Sequence, residues 1–230
     1  MANVAQQALL ATTINPATVS YIGFTSISFN SGGNCSVSGV SIGAAAANRR
    51  VYMIVHWLKS SSPAATLNSA TIGGVAADIH AQNKGAVGSL GVGVAIISAL
   101  VPTGTTANVT LTFSSGTTPW IATYRAIGVV SSTPGGAIST YASAVNPYSG
   151  TINVSGQGIL LLAGTLYSDA SSYSVGGATE DYASTISGNI QSVGASLNVA
   201  TSELNHAVSI TRVGGAGSVF TGPIVAAAFR

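Results

Sequence analysis

Charge is nearly absent from this sequence: 5% of its 230 residues are Asp, Glu, Lys or Arg, against roughly one quarter in an ordinary soluble domain. The seven Lys and Arg are scattered from Arg49 to Arg230 and leave a net charge of +2. Nucleic-acid binders cluster positive charge to displace counterions from phosphates, so neither duplex nor single-strand binding is expected. Cysteine is almost as scarce. Cys35 stands alone and excludes an internal disulfide framework. The segment Met1 to Pro16 lacks a basic start and a compact apolar centre, so export by a secretory signal is not expected. Long hydrophobic runs are missing too. Mean hydropathy is high at +0.49, yet the longest apolar stretch, Gly91 to Val101, falls well short of the roughly 20 residues a spanning helix needs. Disorder is excluded from the other side, because a chain that is 47% hydrophobic has ample apolar surface to offset its ordering entropy.

What is present is alternation. Ile27 and Phe29, Cys35 and Val37, and Val109, Leu111 and Phe113 are spaced by Ser, Thr or Asn, the period of a half-buried strand. Longer apolar runs, Val51 to Trp57, Gly91 to Val101, Trp120 to Val130 and Ile159 to Tyr167, are rich in β-branched and aromatic residues and predict strands covered on both faces. Between them, Asn30-Ser-Gly-Gly, Asn83-Lys-Gly, Pro102-Thr-Gly and Thr133-Pro-Gly-Gly supply the residues that tight turns require. Only Val4 to Ala11 offers a helical candidate, and it reads as part of an arm.

The chain also matches itself. Ser69 to Asp78 can be laid on Ser172 to Asp181, so that Gly73-Gly74 falls on Gly176-Gly177 and Asp78 on Asp181 at one common offset. The apolar runs follow in the same order on either side. Two related halves, about 17–131 and 132–230, are therefore expected after an N-terminal arm, 1–16. Joined only by the turn at Ser131 to Gly136, they are expected to pack closely in one β-sandwich region, with two tandem jelly rolls as the alternative arrangement.

Ala122-Thr-Tyr-Arg-Ala-Ile-Gly-Val129, Gly158-Ile-Leu-Leu-Leu-Ala-Gly164, Thr179-Glu-Asp-Tyr-Ala183 and the chain end Ile224 to Arg230 resemble a loose group of β-rich bacteriophage virion proteins, often described as tail proteins. The resemblance spans roughly 35–230. It implies a structural role in a virion and brings no set of functional residues with it.

The chemistry-bearing residues are few. Gly39-Val-Ser41-Ile-Gly43 has the pattern of a nucleophile elbow, but Ala44 to Arg50 leaves no room for the helix that must follow, so Ser41 reads as a strand-end serine. The carboxylates are Asp78, Asp169, Glu180, Asp181 and Glu203. Glu180 and Asp181, adjacent on a strand, point to opposite faces and cannot serve one bond together. Asp78 and His80 share a face and could orient a base or a metal, although solvated residues on an outer hairpin face are the expected state. His56 reads as a satisfied core histidine, and His206 lies by a turn. Trp57 and Trp120 read as core. Tyr141, Tyr148, Tyr167, Tyr173 and Tyr182, near loops, read as surface residues able to stack on sugar rings.

The expected fold is all-β, an antiparallel β-sandwich of jelly-roll type built from two related halves. The expected function is a non-enzymatic structural subunit of a bacteriophage particle, a tail or capsid-surface component, with no catalytic residue, cofactor or metal site. Its expected partners are copies of itself and other virion proteins, not nucleic acid and not a membrane. It would be made in the host cytoplasm without a signal peptide and end in the virion. The alternative is a receptor- or glycan-binding module of a phage tail or cell surface, recognising host surface glycan.

Overall fold

A computed structural model describes residues 15–168, 172–215 and 220–230. The predicted helical candidate in the arm lies outside them. Along the chain the first strands are β1 (Thr18–Ser26), β2 (Asn34–Ser41), β3 (Arg50–Lys59), β4 (Leu67–Ile72), β5 (Val75–Ala76), β6 (Asp78–Val87), β7 (Leu90–Leu100), β8 (Thr106–Phe113) and β9 (Thr118–Ile127). They are followed by β10 (Gly136–Val145), β11 (Tyr148–Val154), β12 (Gly158–Tyr167), β13 (Ser172–Gly176), β14 (Thr179–Ser187), β15 (Ile190–Val199), β16 (Glu203–Val213) and β17 (Phe220–Phe229). The fold is all-β and its pairings are antiparallel.

Four sheets form. The inner sheet of residues 18–127 runs β1-β9-β3-β7-β6 and its outer sheet β2-β8-β4-β5; the later residues form an inner sheet β10-β17-β12-β15-β14 and an outer sheet β11-β16-β13. Counted along the chain, β1, β3, β6, β7 and β9 take the places that β10, β12, β14, β15 and β17 take in the second inner sheet. In the outer sheets β2, β4 and β8 stand where β11, β13 and β16 stand, and β5 has no counterpart.

The four sheets stack as outer, inner, inner, outer. Val51, Met53, Val55 and Trp57 of β3 face Cys35, Ile72, Val109 and Leu111 of their outer sheet, whereas Tyr52 and Ile54 face Ile159, Leu161 and Phe229 of the other inner sheet. A third core joins Leu160, Leu162 and Ile224 to Ile152, Val208 and Ile210. This layering explains two sequence patterns. Inner strands are covered on both faces, so β3 and β12 are buried almost end to end, while β8 in an outer sheet alternates. Each large apolar side chain buried this way contributes about 1.5–3 kcal/mol.

Backbone register corrects the self-match. The matching edge strands β6 and β14 of the two inner sheets each carry a bulge at the same place, between Ile79 and Ala81 in β6 and between Glu180 and Tyr182 in β14. The extra residues are His80 and Asp181. The structural counterpart of Asp181 is therefore His80, not Asp78, which pairs with Ser98 just as Thr179 pairs with Ser196. The glycine pairs differ as well. Gly73-Gly74 closes the β4–β5 hairpin with positive φ at both residues, whereas in the second pair Gly176 ends β13 and only Gly177 has positive φ.

Candidate functional site

Between the two inner sheets the apolar layer is interrupted by polar groups, and these form the candidate site. His56 stands in β3 with its partner residues in register: it pairs with Val94, as Thr165 of β12 pairs with Ser192. His56 and Thr165 thus occupy matching places in the two inner sheets, and they touch. His56 Nδ1 lies 2.7 Å from Thr165 Oγ1, His56 Nε2 lies 2.7 Å from the Tyr182 hydroxyl, and Thr165 Oγ1 donates to the Gly93 carbonyl at 2.8 Å. Because the Thr165 proton goes to Gly93, Thr165 accepts from Nδ1–H, which leaves Nε2 to accept from Tyr182. The neutral imidazole is fully satisfied. Burial pushes the His56 pKa down to about 3, since a charged ring would find no compensating anion and would lose the Tyr182 donor.

Around this chain lies an aromatic cluster: Tyr21 against Tyr124 and Tyr182 with ring centres at 5.4 and 5.6 Å, and Phe24 against Tyr182 at 5.2 Å. Gly194 sits beneath Tyr182, where any Cβ would fall within 2.3 Å of the ring.

The bulges aim their extra residues into the same layer. His80 bonds Ser98 Oγ at 2.7 Å and packs edge-on to Phe229, and burial lowers its pKa to about 4 against the opposing pull of Asp78. The expectation that His80 is solvated is therefore overturned, because the extra residue of the bulge turns its side chain inward. Asp78 does stay exposed, 3.6 Å from Arg50. Asp181 lies beside Tyr124 and Ser196. Burial raises its carboxyl pKa, opposed by the Ser196 and Tyr124 hydroxyls. Its Oδ2 is buried with no hydrogen-bond partner of good geometry, as is the Tyr124 hydroxyl.

Where β1 meets the β14–β15 hairpin the inner sheets part, leaving a cleft of about 410 Å³ lined by Val19, Tyr21, Thr179, Asp181, Ser196 and Asn198, among others. Asn198 bridges its rim, accepting from Val19 N–H at 2.6 Å and donating to Val19 O at 3.5 Å. Two larger depressions, about 540 and 520 Å³, mark the outer sheets at Gly176-Gly177 and at Gly73-Gly74. Small residues line both, and neither offers a charged or aromatic side chain.

The remaining candidates are dispersed. Ser41 is exposed at the end of β2, paired with Thr106, and no helix follows it. Glu203 and His206 bond each other at 2.7 Å on the surface, which raises the His206 pKa. Trp57 is fully buried, while Trp120 is half-buried. Tyr173 and Tyr182, read as surface stacking residues, are buried instead. Tyr173 faces the core between its outer and inner sheets and Tyr182 the layer between the two inner sheets, coverings that local sequence does not reveal. Asp169 lies outside the described residues. Among those residues no three His, Cys, Asp or Glu gather as metal ligands would, and no helix is long and apolar enough to cross a membrane. The sequence reading missed Arg49, which is buried and tied to three main-chain carbonyls. Nothing in Asn48-Arg49-Arg50 distinguishes it from its half-buried neighbour.

No protein-family model, curated protein or solved structure matches this chain.

Proposed function

We propose that this protein is a non-enzymatic structural subunit of a bacteriophage particle, a tail or capsid-surface component that assembles with copies of itself. The observation that carries this is the state of its sheet edges. Natural proteins blunt exposed edge strands with Lys, Pro or inward charge to stop them pairing. Here β2 and β11, matching edges of the two outer sheets, are Asn-Cys-Ser-Val-Ser-Gly-Val-Ser and Tyr-Ser-Gly-Thr-Ile-Asn-Val. Neither has a charge or a proline, and each is interrupted by one register shift only, between Val37 and Val40 and between Ile152 and Val154. Such edges, with an exterior of Ser, Thr, Asn and Gly, suit permanent contact between subunits, where an unpaired buried charge is costly. The particle is inferred from the resemblance to β-rich virion proteins read in the residues of 35–230. The matching strand order supports a reading of 17–131 and 132–230 as halves descended from one jelly-roll unit.

A second reading, a receptor- or glycan-binding module of the same kind of particle, rests on the cleft at Asp181. Electron microscopy of purified phage particles carrying a labelled copy tests the first: label at regular positions on tail or capsid surface is the expected result, and particles without label, with the protein left soluble in the lysate, would refute it.

A further inference from the structure

We propose that the cleft between β1 and the β14–β15 hairpin is a binding site for one unit of a neutral saccharide, with Tyr21 as the stacking surface and Asp181 as the hydroxyl acceptor. This rests on the second reading above, a glycan-binding module, and deepens it by naming the ligand class and the residues that meet it; it does not depend on the structural role.

The chemistry of the walls selects the ligand. At about 410 Å³ the cleft falls within the range of small-molecule sites. Tyr21 is only partly buried and offers an apolar ring with a polar edge, the surface that packs on the C–H face of a sugar. Asp181 lines the cleft; its Oδ2 is buried beside the Tyr124 hydroxyl, and the other carboxylate oxygen is the acceptor that a ligand hydroxyl can reach. Ser196 and Asn198 add groups on the same β15 face, and the Asn198 amide keeps an N–H beyond the one aimed at Val19 O. A sugar hydroxyl both donates and accepts, so vicinal hydroxyls can meet this mixed set.

Other ligand classes fit less well. A metal ion needs several convergent oxygens, and Asp181 has no second carboxylate or imidazole grouped with it in a set of three. An anionic sugar would face Asp181 with no Lys or Arg in the lining. An apolar ligand would leave the carboxylate and Ser196 unpaired. The inward turn of Asp181 also has a structural cause. It is the extra residue of the β14 bulge, and bulges recur where a side chain is re-aimed toward a site.

The test is a heteronuclear NMR titration of the whole chain with glucose, galactose and N-acetylglucosamine, and separately with calcium chloride and methylammonium chloride. Saturable shifts confined to the amides of Val19 to Tyr21 and Ser196 to Asn198, with at least one of the three sugars, are expected. Asp181→Asn should weaken that binding about tenfold or more, the loss of a hydrogen bond to a charged group, while its thermal midpoint at neutral pH equals or exceeds wild type because a half-buried carboxylate is gone. Tyr21→Leu, which keeps apolar bulk without the ring, should also lose binding and serves as the deciding variant should Asp181→Asn not fold. The proposal is overturned if none of the sugars moves these amides, if only calcium or methylammonium does, or if the folded variants bind sugar as wild type does.

Discussion

Arg49→Ala is expected to lower stability by roughly 3–5 kcal/mol, which for a chain of this size is a fall in thermal midpoint of about 10 °C. Arg49 has no solvent exposure, and its guanidinium donates to Val101 O at 2.7 Å, Gly43 O at 2.6 Å and Thr103 O at 2.6 Å. These carbonyls belong to two separate crossings between inner and outer sheet, from β2 to β3 and from β7 to β8. One side chain therefore ties together two loops and satisfies the buried Val101 carbonyl, which would otherwise lack a partner. Burial, and then the nearby Arg125, lower the Arg49 pKa, so the ion is held against a desolvation cost and stays because the planar fork matches three acceptors. Arg49→Lys should fall between wild type and Arg49→Ala, since an ammonium cannot span all three. Urea unfolding of the three proteins measures this; equal midpoints would show that water replaces the guanidinium without cost.

Acid should unfold the protein well before its carboxylates are fully protonated. The neutral form of His56 is favoured in the folded state, with a pKa near 3 against an ordinary 6.5, and the same holds for His80 near 4. Above pH 6.5 folded and unfolded chains bind equal numbers of protons at these sites. Below it the unfolded chain takes up protons that the folded one refuses, so stability is lost as pH falls from 6.5 toward 3. His56 alone removes about 1.4 kcal/mol per pH unit, or about 3 kcal/mol by pH 4. His80, which keeps some contact with solvent, adds less. Asp181 works in the opposite sense, because its raised pKa favours the folded state as the carboxyl protonates. His56 faces Thr165, Tyr182 and Phe24, and none of these offers an anion to hold the imidazolium. Unfolding midpoints in urea at pH 7, 5.5 and 4 should fall steadily, and His56→Gln should flatten much of that slope. A wild-type midpoint unchanged from pH 7 to 4 would refute the account of the buried network.

The same residues show what local sequence carries and what it does not. The run Val51 to Trp57 was legible as a doubly covered strand because period-2 alternation vanishes when both faces are buried, and the alternation of Val109, Leu111 and Phe113 was legible because one face of β8 meets solvent. Ser41 and His56 could be read as well, one by the missing helix after it, the other by its apolar neighbours. The inter-sheet layer was not legible. Its contacts join residues far apart in the chain, such as His56 with Thr165, and nothing near either one marks the other. The bulges were equally silent. One extra residue in β14 turns Asp181 inward, and strict alternation, which assigned Glu180 and Asp181 to opposite faces, has no means of locating the insertion. Tyr182 was misplaced for a related reason: its neighbours are polar, yet its ring is covered by Tyr21 of β1, far away in the chain.

Sedimentation velocity of the purified protein at micromolar concentration, at low and at moderate salt, tests the central claim most directly. Edge strands without charge, held by main-chain hydrogen bonds and apolar contact, predict an oligomer whose sedimentation coefficient is the same at both ionic strengths, because screening acts only on charge pairs. A monomer at both, or an oligomer that dissolves as salt rises, would contradict assembly through uncharged edges.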